Sequence, residues 1–321
     1  MGEFELIRHY FAAAPCAQGG EAVALGIGDD CALLSLPPGE QLAISTDTLV
    51  AGVHFPAVCD PFLLGQRSLA VAASDLAAMG ATPIGFTLAL TLPEVRADWL
   101  QDYARGLNQM AQACRLSLIG GDTTRGPLSL TMTVFGRVPA GQALTRSGAR
   151  AGDLLCVGGE LGNAAGALPL VLGQRQTDPA VADPLLAHYW SPQPQFALGQ
   201  ALRGKATAAL DISDGLLADC GHIAKASQVS LQVELDRLPL SAALQAFLGH
   251  AGAQEAALAG GDDYVLAFTL PEAELEPLRA AGWPIHVVGR AGTGTGVSLM
   301  DGQGQNITPT TRGYQHFREQ P

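Results

Sequence analysis

Aspartates that close short apolar segments are the residues of this sequence with the clearest chemical potential. A single aspartate in such a place is commonly a helix cap or a turn residue, but here the same pattern recurs along the whole chain. Mg²⁺ takes oxygen ligands, usually one or two carboxylates with water and substrate phosphates, so several ions need several separated carboxylates. We therefore expect these motifs to converge in space. They are Gly28-Asp29-Asp30, Ser45-Thr46-Asp47, Ser74-Asp75, Gly121-Asp122, Asp211-Ile212-Ser213-Asp214 and Gly261-Asp262-Asp263.

Two glycine-rich stretches match phosphate-binding motifs only in part. Residues 199–206 have the GxxxxGK spacing, with Lys205 in place, but Ala206 stands where a magnesium-binding Ser or Thr belongs. A helical pattern precedes these glycines and a strand pattern follows them, which is the reverse of a P-loop. Gly292, Gly294 and Gly296 lack the strand-loop-helix unit of a dinucleotide site. A nucleotide must therefore be bound in another way.

Charge and composition narrow the classes of partner. The formal net charge of −12, with lysine only at positions 205 and 225, would repel a polyanion, so we expect no nucleic acid partner. Phosphates can still bind where metal ions lie between the negative charges. The six cysteines form no CxxC pair and are expected to be buried free thiols. The acidic, amphipathic start and the absence of a long apolar run predict a cytoplasmic protein with no membrane segment.

The elements that must position the aspartates are those of a mixed α/β protein. A chain of 321 residues with 48% hydrophobic residues is long enough for two domains. Apolar runs at 22–27, 41–45, 83–92, 116–119 and 128–138 predict strands, and several of them are followed directly by aspartates. Helices are expected at 3–11, 61–79 and 97–114. The second has Asp60 as its N-cap and Pro61 as its first residue, and it carries Asp75 in its last turn.

The change to GARAGDLLCVGG near residue 148 predicts the domain boundary, with domains at 1–147 and 148–321. In the second domain we expect helices from about 160 and at 194–203, and a strand at 206–210 that ends in Asp211. A further helix to about 227 and a strand from Tyr264 to Leu270 follow, and hairpins and loops are expected from 289 onwards.

Seven separated motifs resemble those of the thiamine-monophosphate kinase family, within the aminoimidazole-ribonucleotide-synthetase-like superfamily. They are GIGDDCALL, STDTLVAGVHF, SDLAAMGATP, GGDTTRGPLS, LTRSGARAGD, LDISDGL and GYQHF, in family order over residues 26–317. The resemblance implies transfer of the ATP γ-phosphoryl group to thiamine monophosphate. It also implies a two-domain fold of the α+β type and a homodimer, in which the N-terminal domains form a shared barrel-like sheet and the C-terminal domain completes the active site.

The resemblance also assigns roles to residues. No side chain acts as a general base, and the aspartates act through several Mg²⁺ ions. The implied metal ligands are Asp30, Asp47, Asp75, Asp122 and Asp211, assisted by Ser45, Thr46 and Asp214; the ATP contacts are Gly121, Asp122, Arg146 and Ser213; and the substrate contacts are His54, Asp262 and Tyr314. His54 and Tyr314 could equally be a locally bonded loop histidine and a packed tail residue.

Departures from the family pattern keep other interpretations open. Gly260-Gly261-Asp262-Asp263-Tyr264-Val265-Leu266 stands where the family has GGEDYEL, and Tyr103 is shifted by one position from a family aromatic. Another ATP-dependent enzyme of the superfamily is one alternative. Selenophosphate synthetase would want a Cys and Lys in the N-terminal glycine loop, and a hydrogenase-maturation enzyme would want a C-terminal cysteine. A regulator that binds metal or nucleotide without catalysis is the other alternative.

Overall fold

The computed structural model describes residues 3–28 and 30–307. A π-helical turn, Ile7–Ala12, follows the first helix, and short 3-10 turns occur at Pro15–Ala17, Leu235–Arg237 and Glu272–Glu274. The α-helices are α1 Glu3–Leu6, α2 Pro61–Ala78, α3 Ala97–Cys114, α4 Asn163–Val171, α5 Pro179–Trp190, α6 Phe196–Leu202, α7 Leu216–Ser227, α8 Ala242–Ala259 and α9 Leu275–Ala280. The strands are β1 Val23–Leu25, β2 Leu33–Leu34, β3 Glu40–Val50, β4 Thr82–Leu92, β5 Ser117–Arg125, β6 Ser129–Pro139, β7 Leu154–Val157, β8 Ala208–Asp211, β9 Ser230–Glu234, β10 Leu266–Leu270, β11 His286–Gly292, β12 Gly296–Met300 and β13 Asn306–Ile307.

The chain folds into two compact units. The first holds the residues up to Leu76 and Ala81–Ala143, and the second holds Ala77–Gly80 and the residues from Leu144 onwards. Both units mix helices with sheets, so the predicted two-domain α/β architecture is confirmed. The boundary expected between residues 147 and 148 stays a prediction.

A four-stranded sheet in the order β3-β6-β4-β5 organises the first unit. Buried and half-buried residues alternate along β6, because successive side chains of a strand point to opposite faces. Helix α2 begins as predicted, since the Asp60 carboxylate accepts a hydrogen bond from Phe62 N–H (2.8 Å). Helices α2 and α3 approach closely at Gly106, where a Cβ would lie 1.9 Å from the Phe62 carbonyl oxygen. Glycine is therefore required at that position.

A seven-stranded sheet in the order β13-β12-β9-β11-β7-β10-β8 forms the centre of the second unit. Strands β7, β8 and β10 are buried along their whole length, which is why they read in the sequence as continuous apolar runs. In the ranges 3–28 and 30–307, none of the helices has the length and apolar character needed to cross a bilayer.

Two expectations about strand ends are wrong. Asp47 lies inside β3 and Asp122 inside β5, because both strands continue well past their apolar part.

Lys205 follows α6 and precedes β8, so the GxxxxGK stretch has the helix-first order that argues against a P-loop. Helix α5 was not predicted, since prolines at positions 179 and 184 conceal it.

Candidate functional site

A cavity of about 760 Å³ in the first unit contains three of the predicted residues. Asp30, Gly121 and Asp122 all lie in its wall, which is formed by the loop after β1, by β4 and β5, and by the π-helical turn. Gly121 has a φ of +150°, and a Cβ there would come within 1.9 Å of the Leu88 carbonyl oxygen. Only glycine lets β5 approach β4 so closely, and this approach places Asp122 on the cavity wall.

Arg8 lies in the same cavity wall and was not singled out from the sequence. Arg8 belongs to the π-helical turn Ile7–Ala12, which contributes it to the cavity that Asp30 and Asp122 line. A cation next to carboxylates is the arrangement expected where a phosphate and a metal ion are bound together. The amphipathic spacing of residues 3–11 indicated a helix but gave no sign of what its polar residues face.

Asp47 and Asp75 form a second acidic cluster in the first unit. Asp47 projects from β3 and Asp75 from the last turn of α2, where Ser45 Oγ donates a hydrogen bond to Asp75 Oδ2. Burial raises the pKa of Asp47 to about 6, and the neighbouring negative charge of Asp75 adds to the effect. The fold therefore holds two carboxylates close together in a partly buried position. A bound cation would reduce the repulsion between them.

Thr46 does not join this cluster through its side chain. Side chains alternate along β3, and Thr46 Oγ1 lies 3.0 Å from Thr133 Oγ1 of β6 on the opposite face of the sheet. Thr48 and Thr131 repeat this pairing with their hydroxyl oxygens 2.9 Å apart. The Thr46 hydroxyl therefore lies on the other face of the sheet from Asp47 and Asp75. This position does not favour its predicted role as an auxiliary ligand for a metal ion bound by that pair.

The donor set suits a hard cation that keeps part of its own hydration. Among residues 3–28 and 30–307, no group of three His, Cys, Asp or Glu side chains is close enough to enclose a metal ion. Mg²⁺ commonly binds through one or two carboxylates and completes its shell with water and phosphate. The Asp47 and Asp75 pair fits that requirement in number and in ligand type.

His54 lies in the turn that follows β3. The ring nitrogen Nδ1 of His54 accepts a hydrogen bond from the backbone N–H of Val50 (3.0 Å). The backbone N–H of His54 donates to the Val50 carbonyl oxygen (3.0 Å). Accepting at Nδ1 requires the neutral ring to carry its proton on Nε2. His54 is half-buried, so its backbone contacts fix which ring nitrogen can donate.

In the second unit, Asp211 is the last residue of β8, and the loop after it carries Ser213 and Asp214. A buried carboxylate that the sequence did not reveal holds this loop. Asp219 Oδ2 accepts hydrogen bonds from the backbone N–H groups of Ser213 (3.0 Å), Asp214 (3.0 Å) and Gly215 (3.1 Å). Burial raises the pKa of Asp219 to about 6, although the donated hydrogen bonds oppose the increase.

Asp262 lies beside the same loop. Its N–H donates to the Ser213 carbonyl oxygen (2.9 Å), and its Oδ1 accepts a hydrogen bond from Tyr264 Oη (3.0 Å). Asp262 and Tyr264 have φ values of +69° and +50°, which non-glycine residues seldom adopt. Such strain is often retained at functional sites. Asp263 points away and accepts hydrogen bonds from Gly162 N–H with both carboxylate oxygens (2.9 and 2.8 Å).

Arg146, Tyr314 and Asp29 complete the set of predicted residues. Arg146 is exposed, and its carbonyl oxygen accepts a hydrogen bond from Ser227 Oγ (3.0 Å). Tyr314 and Asp29 lie outside the described residues. The structure thus brings Asp30, Gly121 and Asp122 together, and it brings Ser45, Asp47 and Asp75 together. In the second unit it places Asp211 at the end of β8, Ser213 and Asp214 on the loop that follows, and Asp262 beside that loop.

Family models match both parts of the chain. Residues 28–138 match the AIR synthase related protein N-terminal domain, and residues 150–302 match the C-terminal domain of the same description. Together these two matches identify the chain as an AIR synthase related protein.

Individual relatives narrow this class. The chain is 45% identical over 321 residues to thiamine-monophosphate kinase of Escherichia coli strain K12, with 98% of each chain covered. It is similar to the crystal structure of thiamine-monophosphate kinase from Stenotrophomonas maltophilia K279a, with 45% identity, a TM-score of 0.83, and 89% and 93% of the two chains covered. The solved structure of AaThiL complexed with AMPPCP and TMP is 29% identical, with a TM-score of 0.80 and coverage of 91% and 92%. The chain therefore belongs to the thiamine-monophosphate kinase family, and the resemblance seen in its motifs is confirmed.

Proposed function

We propose that this chain transfers the γ-phosphoryl group of ATP to the phosphate of thiamine monophosphate and so makes thiamine diphosphate. The observation that carries this proposal is the cavity of about 760 Å³ whose wall holds Asp30, Gly121 and Asp122 together. Its volume lies in the range of small-molecule sites. Family membership supplies the reaction, and the complex of AaThiL with AMPPCP and TMP supports the pair of ligands. Consumption of ATP suits a cytoplasmic enzyme.

Mg²⁺ is the cofactor that these donors fit. We assign the ions to the carboxylates of both units, which are Asp30, Asp47, Asp75, Asp122, Asp211 and Asp214, with Ser45 as an auxiliary oxygen donor. When bound, the ions neutralise phosphate charge. The raised pKa of Asp47, which comes first from burial and second from the charge of Asp75, supports this assignment because a bound cation would offset both effects.

The nucleotide contacts are assigned residue by residue, to backbone and side-chain groups. The Gly121 backbone lies open because no side chain shields it, and we propose that Gly121, Arg146 and Ser213 contact ATP. Arg8, which shares the cavity with Gly121, is a further candidate. Guanidinium groups recognise phosphates through paired N–H donors, so both arginines suit the donor nucleotide.

The thiamine substrate is assigned to His54, Asp262 and Tyr314. His54 Nδ1 accepts the hydrogen bond from Val50 N–H, so Nε2 is the ring nitrogen that carries the proton. Asp262 is fixed by Tyr264 and by the backbone of Ser213. The carboxylate that stands here is shorter than the glutamate of the family pattern, and the Tyr264 hydroxyl limits its movement.

The reaction needs positioning more than proton transfer. The acceptor phosphate has a second pKa near 6, so it is mostly ionised at neutral pH and needs no general base. Repulsion is the obstacle, since two unit charges about 4 Å apart interact by about 4 kcal/mol at an effective dielectric of 20. Positive groups on both phosphates reduce this repulsion, and the rigid β4 and β5 backbone holds the reactants in line.

The test is a phosphoryl-transfer assay on the purified chain with ATP, MgCl₂ and thiamine monophosphate. We expect stoichiometric ADP and thiamine diphosphate, and no product with EDTA. ATP bound without turnover would instead favour a non-catalytic regulator. ATP hydrolysis without thiamine diphosphate would favour another enzyme of the superfamily.

We also propose a homodimer formed through the first unit. The outward face of β3 exposes 41% of Leu42 and 57% of Ile44, and Ala89 of β4 is exposed as well. The paired threonines of β3 and β6 lie on the same face, so its centre is uncharged, whereas the register places Arg137 beside Leu42 and Asp122 beside Ala89. A second copy of the same face would cover it and close the two sheets into the shared barrel implied by the family resemblance.

A further inference from the structure

We propose that Asp219 is a positioning residue which fixes the Ser213-Asp214-Gly215 loop for nucleotide and magnesium binding. The inference rests on the proposed function and extends it to a residue that contacts neither ligand. Asp219 is 4% exposed and lies in the first turns of α7. One of its oxygens, Oδ2, accepts all three N–H bonds from this loop, at 3.0 to 3.1 Å.

This geometry reverses the usual arrangement of a helix start. An N-cap side chain normally accepts a bond from within the helix that it opens. Gly215 precedes α7 without a side-chain cap, and its φ of +113° turns the chain sharply. Three successive N–H groups therefore converge on one point and would form an anion-binding nest. The buried Asp219 carboxylate occupies that nest, so these three N–H groups donate to Asp219 and not to a phosphate.

The orientation of the ligands follows from this contact. The three hydrogen bonds to Asp219 hold the backbone of residues 213–215 in one conformation, and this conformation sets where the Ser213 and Asp214 side chains begin. Ser213 is exposed and Asp214 half-buried, whereas Asp219 is almost fully buried. Without the Asp219 carboxylate, the backbone of residues 213–215 would adopt several conformations. The proposed contacts of Ser213 with ATP and of Asp214 with magnesium would then be weakened together.

A matched control exists in the same unit. Asp153 is 6% exposed and accepts hydrogen bonds from Arg150 N–H (2.8 Å) and Thr207 Oγ1 (2.6 Å), none of which has a proposed role with ligands. Asp153→Asn removes a buried carboxylate of the same kind. A loss of stability alone would affect both variants, whereas a loss of positioning would affect only Asp219.

The experiment measures Michaelis constants and magnesium dependence for wild type, Asp219→Asn, Asp219→Ala and Asp153→Asn, after circular dichroism has shown each to be folded. For Asp219→Asn we expect the KM for ATP and the half-saturating magnesium concentration to rise about tenfold. The KM for thiamine monophosphate should rise less, because Asp262 keeps its hydrogen bond from Tyr264 Oη when the Ser213 backbone loosens. Asp219→Ala should be affected more, because the Asn variant keeps one acceptor oxygen. Asp153→Asn should keep wild-type constants.

Unchanged ATP and magnesium constants in both Asp219 variants, or equal changes in Asp153→Asn, would overturn the inference. Hydrogen exchange on the wild-type protein gives a readout that does not depend on any variant folding. The amides of residues 213–215 should be protected before nucleotide is added, and rapid exchange there would count against Asp219 as their partner. An inactive wild type would instead refute the proposed function itself.

Discussion

Replacing Asp47 with asparagine should make the metal-free protein more stable while it abolishes turnover. The folded structure raises the pKa of the Asp47 carboxyl from its usual value of 3.8 to about 6, through burial and the charge of Asp75. Since one pKa unit corresponds to about 1.4 kcal/mol, the ionised group costs the fold about 3 kcal/mol at neutral pH. Screening at its exposed edge reduces the gain from neutralising it to about 2 kcal/mol. The melting temperature in EDTA should then rise by about 4 to 8 °C.

The sign of the pH dependence follows from the same carboxyl. Its pKa in the folded state lies above that in the unfolded state, so ionisation costs stability above about pH 6 and the cost fades as the pH falls toward 3.8. The advantage of Asp47→Asn over wild type should therefore be full at pH 7.5 and reduced to about a fifth of that near pH 4. Thermal denaturation followed by circular dichroism, in EDTA at both pH values, measures this difference.

Magnesium should reverse the order of stabilities. An ion that binds the wild-type pair stabilises it by mass action, by about 2.7 kcal/mol at a hundredfold excess over its dissociation constant, and the variant should lose most of that gain. Asp60→Asn is the matched control, because asparagine caps a helix as well as aspartate does and Asp60 caps α2 in the same unit. If Asp47→Asn melts at or below the wild-type temperature in EDTA at pH 7.5, the reasoning about the acidic pair is wrong.

Three further predictions concern the cavity, the GxxxxGK stretch and the dimer. Asp122→Asn should lower turnover at least about a hundredfold at saturating magnesium while circular dichroism stays unchanged, because it removes a proposed metal ligand from the cavity wall; wild-type turnover would contradict this. Lys205→Ala should leave kcat and the KM for ATP unchanged, and a hundredfold increase in that KM would restore the stretch as a nucleotide site. Light scattering below micromolar concentration should give about twice 33.1 kDa, and Ala89→Glu should give monomer or aggregate. A fully active wild-type monomer would refute the shared sheet.

The sequence was most informative where local chemistry decides the structure. Helices α2 and α3 lie within about one residue of their predicted bounds, because Asp60-Pro61 marks a helix start and both segments keep a helical pattern throughout. Strand β4 was predicted as well, since a buried central strand reads as an apolar run.

The sequence was less informative where partners in space decide the structure. Strands β3 and β5 extend past their apolar parts because ladder bonds to β6 and β4 continue there, and so Asp47 and Asp122 lie within strands. Periodicity alone cannot show that continuation. Asp219 looked like an ordinary helix residue, since the N–H groups that it accepts belong to the loop before the helix.

Asp262 illustrates both sides of this limit. Its motif marked it as a site residue, but nothing in the sequence indicated the positive φ of Asp262 and Tyr264 or the bond between their side chains. These depend on backbone pairing with Ile212 and Ser213, about fifty residues earlier in the chain.

The difference in reactivity between Cys31 and the other five cysteines allows ligand binding in the cavity of the first unit to be followed by alkylation. Burial raises the pKa of Cys16 and Cys59 to about 11 and that of Cys114 and Cys156 to about 12, and it raises the pKa of Cys220 further still. Their thiols will be almost entirely protonated, and so unreactive, at neutral pH. Cys31 is exposed and lies in the cavity wall beside Asp30. Mild alkylation of the native enzyme should therefore mark this one position, and the rate of marking should fall as nucleotide fills the cavity, which gives a direct optical or mass-spectrometric titration without any engineered label.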